Sequence, residues 1–200
     1  MPQPAGADIA IDFRGPFGWL SAPDAPSVFE SVAPETAGIY LWTIDRGDGH
    51  LVFYVGETGR CLRQRLAEHY AEHAAARYSI YEPALFATGV KSLIWPGYFG
   101  KSGRDLGDCV AASIELAPQI AGMARLLRFF IAPTTCDTRI RRRAEAAIAD
   151  ALYAAPGAIG GFQYRGVRYQ RIREDESPIR FAVRVAAPAQ VLGLPEVLVG

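Results

Sequence analysis

The 200-residue chain is half apolar and balances 21 basic side chains against 21 acidic ones, enough to fill one core and a poor composition for a protein that coats nucleic acid. No apolar run reaches the ~18 residues of a membrane span, and Asp8 and Asp12 stand where a signal peptide needs positive charge, so a soluble cytoplasmic protein is expected. Cys61, Cys109 and Cys136 lack any CxxC or zinc-ligand spacing and read as reduced thiols.

The neutrality is uneven. Residues 1–57 hold two basic and eight acidic side chains, which leaves 19 basic against 13 acidic in the remainder. Arginine supplies 19 of the 21 cations, which suits bidentate phosphate contacts or simply reflects a GC-rich coding sequence.

In chain order, residues 22–37 are rich in Pro and Ala and read as an irregular lead-in. Residues 38–44 and 51–56 are rich in β-branched and aromatic residues, and "DRGDGH" between them supplies the Asp and Gly of a hairpin loop. From about 60 to 76 the spacing becomes helical, with Leu62, Leu66 and Tyr70 as the apolar stripe. Arg65, His69 and His73 form a second stripe about 60° away, predicted to lie at the rim.

Residues 78–124 are mixed: "PGYFGKSG" (96–103) predicts a loop, and 108–124 a helix interrupted at Pro118. "RLLRFFIAP" then predicts a third strand over 125–132. Residues 137–154 form a second clear helix, with Asp137 as its N-cap and Glu145 at the border of the buried face. The tail, with "FQYRGVRYQRIR" and the alternating "IRFAVRV", predicts an added C-terminal β hairpin.

The sequence thus predicts one α+β domain over 1–200 with α/β-type layering: a small antiparallel three-stranded sheet flanked by two helices. Its core would be 37–77 plus 125–155, with 78–124 an insertion and 1–36 and 156–200 terminal extensions.

Gly38-Ile39-Tyr40 and Tyr54-Val55-Gly56 resemble the two strand motifs of the GIY-YIG nuclease superfamily, most closely its stand-alone, restriction-endonuclease-type members. "LRQRLAEH" resembles the family helix, in which an arginine is followed four residues later by a histidine or tyrosine, here Arg65 and His69; Arg63 is the fallback because Tyr54 and Arg65 are one residue further apart than usual. Glu145 matches the family's metal-binding glutamate, and Thr58 a position that often carries a hydroxyl. Gln163 is the candidate substitute for the asparagine that many members carry after the glutamate helix.

The resemblance implies a metal-dependent endonuclease acting on DNA, with Mg²⁺ or Mn²⁺ on Glu145 and Tyr40, Tyr54, Arg65, His69 and Glu145 as catalytic residues. A homodimer would cut both strands, and a monomer would act as a nickase or single-strand nuclease. A catalytically inactive binding module on the same scaffold is the reading from another class.

Phosphodiester hydrolysis needs a proton acceptor for water, a cation against the phosphoryl oxygens and an electrophile at the leaving oxygen. Those jobs suit phenols with imidazole, a guanidinium, and a carboxylate-bound ion respectively. Gly56 would let a phosphate approach closely, and Arg63, Lys101, Arg104, Arg165 and Arg168 are the candidate DNA contacts. Taken singly, the tyrosines would be ordinary strand residues, His69 a solvated helix residue, and Glu145 a surface partner of Arg141 or Arg142.

Overall fold

Strand formation begins earlier than the lead-in suggests. The computed structural model describes residues 8–30, 35–99 and 105–200. Its first strand, β1 (Ile9–Phe17), buries Ile11 and Phe13 and leaves Ala10, Asp12 and Arg14 exposed, a period of two. The hairpin follows as β2 (Gly38–Asp45) and β3 (His50–Thr58), then α1 (Leu62–Ala74). The region between is built of β4 (Ile80–Tyr81), α2 (Pro83–Ala87), β5 (Leu93–Trp95), α3 (Leu106–Glu115) and α4 (Ala117–Leu126). The predicted interruption is real: α3 stops at Leu116, and Pro118 opens α4, where its missing N–H costs nothing. Then come β6 (Leu127–Pro133), α5 (Thr138–Ala154), α6 (Gly157–Phe162), β7 (Arg180–Val185) and β8 (Val197–Val199).

The expected small three-stranded sheet is not what forms. The strands make one six-stranded mixed sheet in the order β3-β2-β6-β1-β7-β8, with β4 and β5 as a separate pair. The hairpin and third strand are its first three members, antiparallel throughout. β1 adds antiparallel to the far side of β6, and β7 runs parallel to β1. The C-terminal hairpin is also not a separate addition: residues 163–179 contain no strand, and β7 pairs antiparallel with β8 as the far end of the main sheet. The cause is burial. Ile11 and Phe13 from β1 and Phe181 and Val183 from β7 share a core with Phe130 of β6 and Ile148 of α5, so the third strand has an apolar neighbour on each side.

Two layers clothe this sheet. On one face Tyr40, Trp42, Phe53 and Phe129 pack against Leu62 and Leu66 of α1 and Ile120 and Met123 of α4. On the other Ile39, Leu41, Val55 and Phe130 pack against Ala144, Ile148 and Leu152 of α5. Asp137 caps α5 as expected, accepting from the Ile140 backbone N–H at 2.9 Å.

Two local irregularities set the site. In the hairpin Trp42 faces Tyr54 while Thr43 faces Val52, so Phe53 is an extra residue in a β-bulge. Simple alternation would send Phe53 and Tyr54 to opposite faces; the bulge turns both toward α1. The outer edge of β3 is also covered, since Gln163 Nε2 donates to the Val52 carbonyl at 2.6 Å, the Tyr164 N–H to the Phe53 carbonyl at 2.7 Å and the Tyr169 hydroxyl to the Val55 carbonyl at 3.2 Å. Gln163 is thereby a buried strand clamp.

Among the described residues no helix is long and apolar enough to cross a membrane.

Candidate active site

Tyr40 faces Gly56 across the hairpin, and its ring lies on that glycine: a Cβ at Gly56 would stand 2.5 Å from the ring and the hydroxyl. This explains locally why the second motif ends in glycine. Buried beneath α1, the Tyr40 hydroxyl meets His69 Nε2 at 2.7 Å, and His69 Nδ1 meets the Tyr78 hydroxyl at 2.7 Å. A neutral imidazole between two hydroxyls accepts from one and donates to the other, so the three side chains form a continuous hydrogen-bonded string. Arg65 lies within hydrogen-bonding reach of the Tyr40 hydroxyl and pairs with Glu68 at 3.2 Å. Tyr54, half-buried, holds its ring 6.2 Å from that of Tyr40.

The buried face of α1 is therefore not the stripe expected. Leu62, Leu66, His69 and His73 are its buried residues, while Tyr70 is 38% exposed against Trp19 and Phe29. Histidines tolerate this position because each finds partners; His73 Nε2 bonds the Ile120 carbonyl at 3.1 Å and is structural.

Burial first, then the neighbouring Arg65 charge, push His69 down to about 3. Burial outweighs the lowering effect of Arg65 on Tyr40, which is pushed up to about 12, and burial raises Tyr54 as well. His69 is consequently neutral at physiological pH and does not tune the phenols as a cation; that role falls to Arg65. The unfolded chain binds a proton at His69 below about 6.5, whereas the folded chain does so only near about 3. Stability from this site is complete above the upper value and is lost as pH falls toward the lower. Melting curves from pH 7 to pH 4 should show a fall in Tm that is shallower in His69→Gln; equal slopes would show that His69 is not held neutral.

Glu145 belongs to α5, which packs on the sheet face opposite Tyr40 and Tyr54, and it bonds the backbone near the end of β3. Its Oε1 accepts the Glu57 backbone N–H at 3.0 Å, and its charge raises both tyrosines. The alternative to the metal reading, a salt bridge to Arg141 or Arg142, is not formed: both guanidinium groups pair with Glu57, at 3.2 and 3.3 Å. Burial and the Glu57 charge then push Glu145 up to about 8. A 9%-exposed carboxylate held by one N–H, with the nearby arginines engaged elsewhere, fits a divalent cation, which would stabilise its charged form. Among the described residues no group of three or more His, Cys, Asp or Glu is arranged to hold a metal ion, so such an ion would rely on Glu145, water and substrate oxygens.

The remaining predicted residues are dispersed. Arg63, about 200° round the helix from Arg65, pairs with Glu35 at 3.4 Å, so the fallback is not on the tyrosine side. The Thr58 hydroxyl accepts the Arg60 N–H at 3.0 Å and shapes the turn into α1. Arg165 lies 4.7 Å over the Tyr153 ring, and Arg168 is exposed on the segment that runs along β3. Lys101 and Arg104 lie outside the described residues.

Sequence reasoning missed Glu57 and Tyr78. Glu57 directly follows the second motif and was legible as a charged residue at a strand end; Tyr78, in the turn after α1, has no local signal.

Set beside protein-family models, curated proteins and solved structures, the chain matches none of them.

Proposed function

We propose that the chain is a divalent-cation-dependent endonuclease of GIY-YIG type that hydrolyses DNA phosphodiester bonds. The observation that carries this reading is the Tyr40–His69–Tyr78 string with Arg65 at its inner end and Glu145 at the end of the same strand pair. A packing role alone does not explain a buried, neutral histidine bonded on both sides to phenols and flanked by a guanidinium.

Tyr40 takes a proton from the attacking water as its own proton passes to His69 Nε2; Nδ1–H then donates to Tyr78, which returns a proton to solvent. Because the imidazole holds a proton so weakly, the transfer is concerted rather than resting on His69. Arg65 binds the phosphoryl oxygens in bidentate fashion and stabilises charge as it builds. Tyr54, hydrogen-bonded to Tyr40, orients its hydroxyl. Mg²⁺ or Mn²⁺ held by Glu145 would supply Lewis-acid stabilisation of the leaving 3′ oxygen.

The direct test is incubation with plasmid DNA, single-stranded DNA and RNA in Mg²⁺ or Mn²⁺, followed by sequencing of the cleaved ends. Cleavage that requires the cation supports the reading, and intact substrates throughout reject it. Tyr78→Phe keeps the ring and removes the outer hydroxyl of the string, and it should lower kcat by up to ~10²-fold, the low end of a general-base contribution. KM should stay constant and the solvent isotope effect should change; an unchanged kcat would remove Tyr78 from the proton path.

A further inference from the structure

Beside Arg65 and His69, on the α1 face, lies a half-open cavity of about 450 Å³ whose lining includes the rings of Tyr54, Tyr78, Phe99 and Tyr164. We infer that this cavity receives one unpaired nucleobase of the substrate, stacked on Phe99 and Tyr78, and that the enzyme acts where a base stands outside a duplex. The inference rests on the nuclease reading and adds to it the form of the substrate.

Phe99 is 56% exposed, with its ring 5.7 Å from that of Tyr78. The Arg77 guanidinium lies 5.1 Å from the Phe99 ring and 5.2 Å from that of Tyr98. An exposed aromatic pair carrying a guanidinium makes a stacking platform for any base, since every base has a π face.

The polar groups of the wall select a ring over an anion. Glu68 and Glu72 both line the cavity, tied to Arg65 and Arg77 at 3.2 and 2.9 Å. Paired in this way, Arg65 and Arg77 give the wall little surplus positive charge to draw a second phosphate inward, so the backbone stays at the Arg65 rim while a neutral ring goes in. Paired bases present only their edges, and the cavity takes a ring by its face. The substrate must therefore supply a single-stranded or extruded nucleotide.

The test uses the full chain in EDTA, where no cleavage occurs, and a 12-nucleotide strand carrying one 2-aminopurine, alone or within a blunt duplex. The single strand should bind more tightly than the duplex, with its fluorescence quenched by stacking. Phe99→Ala should weaken that binding by ~5- to 150-fold, and Phe99→Trp should restore it; Phe99 is exposed enough that neither change threatens the fold. Unquenched probe, or equal affinity in Phe99→Ala, overturns the base cavity. Failure of the nuclease reading looks different: no substrate is cut in Mg²⁺, whatever the binding assay reads.

Discussion

Glu145→Gln is expected to lower kcat for DNA cleavage by ~10²–10³-fold, the scale of removing one electrostatic partner of the transition state, and to abolish the response to Mg²⁺ concentration. The amide keeps the size of the side chain and can still accept the Glu57 N–H, so the melting temperature should hold while activity goes. Much depends on Glu57. It takes both Arg141 and Arg142 as salt-bridge partners, so neither pairs directly with Glu145, although the Arg142 charge still acts on that carboxyl. Glu57→Gln should release a guanidinium toward Glu145 and raise the Mg²⁺ concentration needed for half-maximal rate, without the full loss of Glu145→Gln. Normal cleavage by Glu145→Gln would remove the cation from this carboxylate altogether.

Gly56→Ala is expected to damage both stability and turnover. The added methyl would stand 2.5 Å from the Tyr40 ring and hydroxyl, and Tyr40 has no room to yield because it is 1% exposed. Overpacking of this kind typically costs ~1–3 kcal/mol, and the displaced hydroxyl would lose its 2.7 Å contact with His69. Chemical denaturation measures the first effect and single-turnover cleavage the second. A variant as stable and as fast as the parent would mean that the Tyr40 ring yields to the methyl at no cost, and the close approach would not explain the glycine. By contrast, a Cβ at Gly38 would meet the Ala132 carbonyl at 2.5 Å and Leu62 at 2.7 Å, so the first motif's glycine serves the packing of β2 between β6 and α1.

The hairpin, α1 and α5 were legible because their signals are local: β-branched alternation about a Gly-Asp turn, and helical periods with a capping aspartate. The break at Pro118 was legible for the same reason. The size of the sheet was not. β1 carries a fair alternation in Ile9, Ile11 and Phe13, but its partners β6 and β7 lie far along the chain, and nothing local says that β7 runs parallel to it. The stripe of α1 was misplaced because hydropathy treats histidine as a surface residue; what buries His69 and His73 is a set of partners, Tyr40, Tyr78 and the Ile120 carbonyl, from three other parts of the chain. Arg141 and Arg142 stand four and three residues from Glu145, so helical spacing offered an ion pair. Glu57, across on β3, takes both guanidinium groups instead.

The extra residue in β3 has a consequence for how such a protein can diversify. Phe53 contacts the rings of Tyr81, Phe86, Phe162 and Tyr164, all from the insertion and the tail, whereas its neighbour Tyr54 contacts Tyr40, Trp42 and His69 and, of those four, Tyr164. Adjacent positions thus anchor largely different sets of rings, one in the insertion and the tail, the other beside Tyr40 and His69. Exchange of the insertion beyond Tyr78, matched by a new side chain at Phe53, would alter the first set of contacts and leave the Tyr40–His69–Tyr78 string in place.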